Sequence, residues 1–484
     1  MLVGYPMALG AAQVGLIFVV SGFVDLFGDA DVAARFVVAG ALIGASGWVG
    51  LRRLPGPSVT SAPTLMTMTT VAFLTLIAGG AAAHLLADVT NGVDAAVFEG
   101  TAAATTTAMT GLDPDGLPMG LHMFRSLMQW TGGLAALVVA LILVPLVFGG
   151  RELIRGGQSE RGDRAIITGW TRGARNIVLV YGVFTVVMLI AYLAAGMGLF
   201  DSVAHAMTTV STGGLSTRTA SIGAFDSSAI EWVAVGGMAV AGLNVGAVWW
   251  VVRGDHKALR RSSELRAFLI VMVLSIVVVS LWLNNDYPAA ESIRTSAVAV
   301  VSAMSTTGFS TSSWAAFDNG AQTLLVVLLG IGAMSGSAGG GFRYIRVIEA
   351  FRFAARELKR QLHPSAVGVV CLNGRAVSER TLERLTAYMV VLILVVAAGG
   401  MLIELGDSQV TPGAALALSI SAVSTAGPQV IDPVALGDLG PVSKLSIAVL
   451  MLLGRLSVYI VILSIINAVA RVVSTVQNYR WACS

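Results

Sequence analysis

One short pattern, a threonine close to a glycine at the end of an apolar run, recurs four times along this chain. Residues 305–311 (STTGFST) are the fullest copy, and residues 211–217 (STGGLST) resemble them closely. Residues 424–428 (STAGP) keep the serine, threonine and glycine, and residues 109–112 (MTGL) keep the threonine and glycine. The copies are separated by about one hundred residues, which predicts four tandem units of one design.

Each copy follows a stretch that is too apolar for an exposed loop and too short to cross a bilayer and return. We therefore predict four half-helices, each between two membrane spans, at residues 94–110, 202–212, 289–306 and 412–425. Helix-start signals agree with three of them. Pro288 and Pro412 suit first helical positions, Thr411 and Asp201 suit N-caps, and Glu291 lies in a first turn.

The composition is typical of an integral membrane protein. Hydrophobic residues make up 56% of the chain and charged residues only 12%, against roughly 25% charged in soluble domains. Two spans at residues 7–27 and 33–51 precede the four units, so we predict ten transmembrane helices in an all-α fold. The first span lacks a basic leader and is interpreted as retained. Cys371 and Cys483 have no metal-ligand or disulfide spacing.

Charge distribution orients these spans. Bases concentrate in residues 151–175, 253–266 and 343–384, whereas the loops near the half-helices are acidic. The positive-inside rule places the basic segments and both termini in the cytoplasm. Every unit has two full spans, so all four units share one orientation, unlike inverted-repeat transporters. The predicted divisions are residues 1–53 for the leading helices and 54–150, 151–254, 255–362 and 363–484 for the units.

The recurring glycines suit a cation filter. Glycine lets the backbone turn its carbonyl oxygens toward an ion, as four strands do in potassium channels. The half-helices would point their C-termini, which carry partial negative charge, at the same place. Helix packing through small residues is the alternative for any single copy. The candidate ion-binding residues are Thr110, Gly111, Thr212, Gly213, Gly214, Thr306, Thr307, Gly308, Thr425, Ala426 and Gly427.

Two anomalies lie below the predicted filter. Residues 330–341 (GIGAMSGSAGGG) interrupt the second span of the third unit near mid-membrane, where non-helical backbone is tolerated only if it is buried or lines a cavity. Arg455 is the one charge inside an apolar segment. An ordinary kink remains an alternative for the break. The candidate gate residues are Ser335, Gly336, Ser337, Ala338, Gly339, Gly340, Gly341 and Arg455.

Other classes of function lack sequence support. The chain has no HExxH, Walker or GxSxG motif and no histidine with metal-ligand spacing. We therefore predict no enzyme, no tightly bound cofactor and no nucleic-acid partner. The basic linkers are either solvated surfaces at the lipid headgroups or a docking surface for another protein.

These residues resemble the Trk/Ktr/HKT superfamily of potassium transporters, membrane subunits of the TrkH type, over essentially the whole chain. The most specific matches are residues 305–311, 211–217, 332–346 and 454–456. The resemblance implies potassium uptake across the inner or plasma membrane. It also implies K⁺ sites at the filter glycines, a gate at residues 335–341, and a pore-facing Arg455. The implied partners are a second copy and a cytoplasmic nucleotide-binding ring of the TrkA/KtrA type.

The chain departs from that pattern at four positions. Met109 occupies a filter position that the family usually gives to a small polar residue, and Asp113 follows the first filter copy. Pro428 follows the fourth copy, and Ser457 stands where many relatives carry an acid. Two alternative functions stay open. A potassium-translocating subunit of an ATP-driven pump has similar filters, and a coupled secondary carrier has broken helices at mid-membrane.

Overall fold

The computed structural model describes residues 3–56, 62–143, 170–284, 287–363, 369–372, 375–427 and 436–482. Pro428, Cys483 and residues 151–169 of the first basic linker lie outside this part of the chain. The predicted all-α class is confirmed, apart from a two-stranded antiparallel hairpin, β1 (Cys371–Leu372) and β2 (Arg375–Ala376).

Long apolar helices make up most of the described chain. Seven are long and apolar enough to cross a membrane, and a bent pair would make an eighth. The count of ten spans therefore stays a prediction. The seven are α1 (Gly4–Asp25), α2 (Ala30–Arg53), α3 (Ala62–Leu86), α5 (Met119–Val138), α6 (Trp170–Ala194), α11 (Ser263–Leu283) and α15 (Glu379–Gly406).

Four half-helices form at the predicted places in the chain, although the first ends six residues earlier than predicted. They are α4 (Val93–Ala104), α7 (Leu199–Val210), α12 (Ala289–Ser305) and α16 (Pro412–Val423). Thr411 caps α16, because its hydroxyl accepts the Ala414 N–H at 3.3 Å, and Pro412 takes the first helical position. Two start signals are shifted: Pro288 is itself the N-cap of α12, and Asp201 lies in the first turn of α7.

The second spans of three units are broken, whereas the sequence indicated a break only in the third. The fragments are α8 (Ser228–Ala241) with α9 (Val245–Val252), α13 (Asn319–Ile331) with α14 (Tyr344–Leu362), and α17 (Pro441–Leu456) with α18 (Val458–Ala482). A short helix α10 (His256–Arg261) follows α9. The breaks between α8 and α9 and between α17 and α18 were not expected, and each lies at a single distinctive residue. Asn244 restarts a helix by accepting the Gly246 N–H at 2.7 Å, and Ser457 has a φ of 71° at a bend of 101°.

The hydrophobic core is divided among the units, and the leading helices join the first. Phe18 of α1 packs against Phe36 of α2 and Phe124 of α5, with ring centroids 5.1 and 4.7 Å apart. The Asp25 carboxylate accepts the Gly120 N–H at 2.9 Å, so α1 also fixes the start of α5. These contacts pack the leading pair against the first unit.

Candidate functional site

All four half-helices end in the same way, and this fixes how the units correspond. A threonine in the left-handed backbone region follows each of them, and all four threonines are buried. They are Thr106 (φ 56°), Thr212 (53°), Thr306 (57°) and Thr425 (52°). The next residue donates its N–H to the carbonyl five residues earlier in every unit, at 2.7–3.0 Å. This is a Schellman ending, with threonine in the place that usually holds glycine.

Two residues after each of these threonines, the four segments converge. A Cβ built on Gly308 would meet the Cβ of Ala108 and would lie 2.9 Å from the Gly427 nitrogen. A Cβ on Gly427 would lie 2.9 Å from the Ala108 Cβ, and a Cβ on Gly214 would meet Ala108 and the Thr307 carbonyl oxygen. Ala108, Gly214, Gly308 and Gly427 therefore face one another around a common axis.

The structure corrects the predicted register of the first unit. Ala108, not Gly111, stands where the other units have their filter glycine, because α4 ends six residues earlier than predicted. Gly111 instead packs on the fourth unit, where an added Cβ would lie 2.8 Å from the Gly437 Cα. The correction also explains Met109, which now matches Leu215 and Phe309, both large, apolar and buried.

A buried carboxylate holds the displaced pair. Glu99 accepts the Gly111 N–H at 2.7 Å and the Thr110 hydroxyl at 2.9 Å, and its partner charge is Arg125 at 3.3 Å. Both charged side chains are 2% exposed. A charge-assisted hydrogen bond of this kind orders the backbone strongly, so Thr110 and Gly111 form the outer support of the first segment and do not take part in the convergence.

Gln129 of α5 was missed from the sequence. It is fully buried, and its amide donates to the Gly213 carbonyl at 2.9 Å and to the Thr107 carbonyl at 3.4 Å, while its oxygen accepts the Leu215 N–H at 3.3 Å. It therefore joins the first and second filter segments. A lone glutamine in an apolar span is the signal that could have indicated it, because a buried amide requires partners.

Acidic groups surround the outer end of the first segment. The Thr219 hydroxyl donates to Asp113, and Arg218 lies 3.8 Å from Asp115 and 3.4 Å from Asp201. Hydrogen bonding from Thr219, helped by the Arg218 charge, lowers the pKa of Asp115, so this carboxylate remains ionised. Asp113, one of the positions where this chain differs from the family pattern, thus links the first unit to the second through Thr219.

The glycine-rich break forms a loop pressed against the ends of the half-helices. The Gly340 N–H donates to the Thr306 hydroxyl at 2.7 Å, and a Cβ on Gly340 would meet the Ser424 carbonyl and the Thr425 hydroxyl. Gly339 similarly approaches the Ser305 carbonyl. Gly339 and Gly340 of the predicted gate therefore lie directly beside the left-handed threonines of the third and fourth units.

Arg455 reaches this loop. Its guanidinium donates to the Ala338 carbonyl at 2.8 Å, and the residue is 6% exposed. The sequence suggested a charge in the middle of a continuous span, but Arg455 is in the last turn of α17, just before the bend at Ser457. The free carbonyls of a helix C-terminus favour a cation, which explains how this buried charge is accommodated.

These features define a class. Four half-helix C-termini surround one axis and favour a positive charge there. The segments beyond them approach so closely that a further side chain would collide with a neighbouring segment. The glycine-rich loop lies against the ends of the half-helices. Such a site suits a bare cation passing through a membrane. Residues 58–470 match the family model described as TrkH, cation transport protein, and the chain belongs to that family.

Named relatives agree with this assignment. The chain is 32% identical over 379 residues to the Trk system potassium uptake protein TrkH of Halomonas elongata, covering 76% of this chain and 77% of the relative. It is 32% identical over 375 residues to the protein of the same name from Escherichia coli K12, covering 75% and 77%. The crystal structure of the potassium transporter TrkH from Vibrio parahaemolyticus shares the fold, with a TM-score of 0.85, 24% identity and coverage of 95% and 97%.

Proposed function

We propose that this chain carries potassium across the inner or plasma membrane as the channel-like, ion-translocating subunit of a Trk-type uptake system. The observation that supports this most is the convergence of Ala108, Gly214, Gly308 and Gly427 at the ends of four half-helices. Backbone carbonyls in such a ring replace the hydration shell of a cation. Relatives that are 32% identical are named potassium uptake proteins, which favours K⁺ as the ion.

Flux through the purified protein in liposomes tests the proposal. We expect K⁺ efflux that exceeds Na⁺ efflux under the same gradient and reverses when the K⁺ gradient is reversed. A requirement for ATP hydrolysis by a second subunit would support a pump instead. A requirement for a gradient of a second ion would support a coupled carrier.

The loop at residues 335–341 serves as the gate in this proposal, and Arg455 holds it. Its hydrogen bond to Ala338 keeps the loop beside the filter, and its positive charge opposes a passing cation. Replacing Arg455 by alanine, or deleting residues 336–339, should raise basal flux about tenfold, since a charged hydrogen bond contributes about 1.5–3 kcal/mol. A fall in flux with normal folding would identify the loop as scaffold.

We further propose that the protein works as a homodimer in lipid, with both termini in the cytoplasm, and is regulated by a nucleotide-binding ring of the TrkA/KtrA type. Support comes from the basic helix α14, which leads from the gate loop and carries Arg352, Arg356, Lys359 and Arg360. The chain itself would be no enzyme and would need no bound cofactor. Co-purification should recover the soluble partner, whereas full nucleotide regulation of this polypeptide alone would contradict the idea.

A further inference from the structure

The gate loop is fixed at its entrance as well as at Arg455. Ser335 follows the end of α13, and its peptide is held on both sides. Its N–H donates to the Glu264 carboxylate at 3.0 Å, and its carbonyl accepts from the side-chain amide of Asn244. Glu264 lies in the first turn of α11 and is 2% exposed. A buried carboxylate is retained only where its hydrogen bonds offset the loss of hydration.

The same carboxylate lies close to the far end of the loop. Arg343 and Glu349, which flank the start of α14, lie within electrostatic range of Glu264, and the Ile345 backbone lies near it. Neighbouring contacts support this junction. The Tyr344 hydroxyl donates to the Ala267 carbonyl at 3.0 Å, and the rings of Tyr344 and Phe268 meet edge to face at 5.5 Å.

Glu264 thus bonds to the loop entrance and lies beside the first turn of α14. Without it, the partly buried Ser335 N–H would lose its carboxylate acceptor, in a part of the membrane that supplies little water. Arg343 reinforces the junction, since its guanidinium lies 3.5 Å from the Met334 carbonyl and 3.4 Å from the Ser337 carbonyl. A displacement of α14 therefore acts on the loop through this carboxylate as well as through the connecting chain, where the Tyr344 N–H donates to the Ala333 carbonyl at 3.1 Å.

We propose that Glu264 is the positioning residue that couples α14 to the gate loop and holds the loop in its closed place. This inference rests on the proposed gate. Arg455 fixes the middle of the loop, whereas Glu264 transmits movement of the helix that leads away from it. Displacing α14 breaks its Tyr344 contacts with α11 beside Glu264, weakens the hold of Glu264 on Ser335, and releases the loop from the filter.

The test compares full-length Glu264→Leu and Glu264→Gln with wild type in liposomes. Glu231→Gln is the matched control, because Glu231 is also a buried acid in the first turn of a helix, α8, but pairs with Arg294 at 2.7 Å, away from the loop. Loss of a charged hydrogen bond should raise basal K⁺ flux about tenfold in Glu264→Leu. Glu264→Gln, which keeps an acceptor oxygen, should raise it less, and the K⁺ to Na⁺ ratio should not change.

Amide hydrogen exchange supplies a second measurement, which separates coupling between the loop and α14 from a general structural role of Glu264. In Glu264→Leu, and more weakly in Glu264→Gln, exchange should accelerate at residues 333–341 and 344–348 together, with the half-helices unaffected. Normal flux and exchange in both variants, alongside raised flux in Arg455→Ala, would overturn the coupling role and leave the gate intact. Unchanged flux in all three would overturn the gate itself. If Glu264→Leu does not fold, unchanged exchange in Glu264→Gln overturns the proposal alone.

Discussion

All four filter segments begin with the same helix ending, but the first differs from the other three by one side-chain carbon. All four have the left-handed threonine and the same Schellman hydrogen bond, yet Ala108 carries a Cβ where Gly214, Gly308 and Gly427 have none. Two of these glycines, Gly214 and Gly308, have a φ of 70° and 91°, and Gly427 and Ala108 lie outside the left-handed region. Glycine is therefore required at these positions for two separate reasons, its left-handed backbone conformation and the lack of space for a side chain. The meeting point of the four segments accommodates one methyl group, that of Ala108.

The largest effect should come from Gly308→Ala, which violates both requirements. A left-handed alanine costs about 1–2 kcal/mol, and its Cβ would collide with Ala108 and crowd Gly427, adding about 1–3 kcal/mol of overpacking. We expect K⁺ uptake in a transport-deficient cell to fall about a hundredfold. Gly236→Ala is the control, because nothing lies within 4 Å of its added Cβ. Equal uptake by both variants would show that Gly308 only packs helices.

Gly427→Ala tests the requirement for space alone, because the backbone of Gly427 lies outside the left-handed region. Its added Cβ would lie 2.9 Å from the Ala108 Cβ and 3.3 Å from the Gly308 Cα. We expect uptake to fall about tenfold, the equivalent of about 1.4 kcal/mol. Combining it with Ala108→Gly, which moves the single methyl group from the first unit to the fourth, should restore most of the uptake. The same partner substitution should not rescue Gly308→Ala, and rescue of both would refute the conformational argument.

Ala108→Gly alone should have the smallest effect. It removes a methyl group from a position whose backbone suits either residue, so uptake should stay within about twofold, while the melting temperature falls slightly because glycine loses more entropy on folding. Tracer uptake and a thermal melt in detergent measure the two quantities. A large loss of uptake would mean that the methyl group is itself part of the conducting geometry.

The sequence predicted the half-helices well, because their signals are local. Thr411 and Pro412 mark a helix start within two residues, and membrane thickness fixes what a twelve-residue apolar helix can do. The register of the first filter could not be read in this way. Sequence comparison aligned Gly111 with the other glycines, whereas the repeated element is a left-handed threonine, a conformation that threonine rarely adopts and that no local signal announces.

The gate region shows the same limit. Six glycines identified the break in the third unit, and its isolated charge made Arg455 a candidate gate residue. Its contact with the Ala338 carbonyl became visible only in the structure. The breaks at Asn244 and Ser457 each depend on a single residue whose role comes from its neighbours. Glu264 and Gln129 contact groups far away in the chain, so their partners become visible only once the units have assembled.

The left-handed threonines have a further consequence for how the protein is built. A β-branched residue in this conformation is strained and persists only where surrounding structure over-determines it. Two residues beyond these threonines, the segments of different units pack against one another, as the meeting of Ala108 with Gly308 and Gly427 shows. We therefore expect a repeat expressed alone to lack part of the packing that holds this conformation. Because the four units are linked in one polypeptide, every inserted chain contains all four segments that pack against one another.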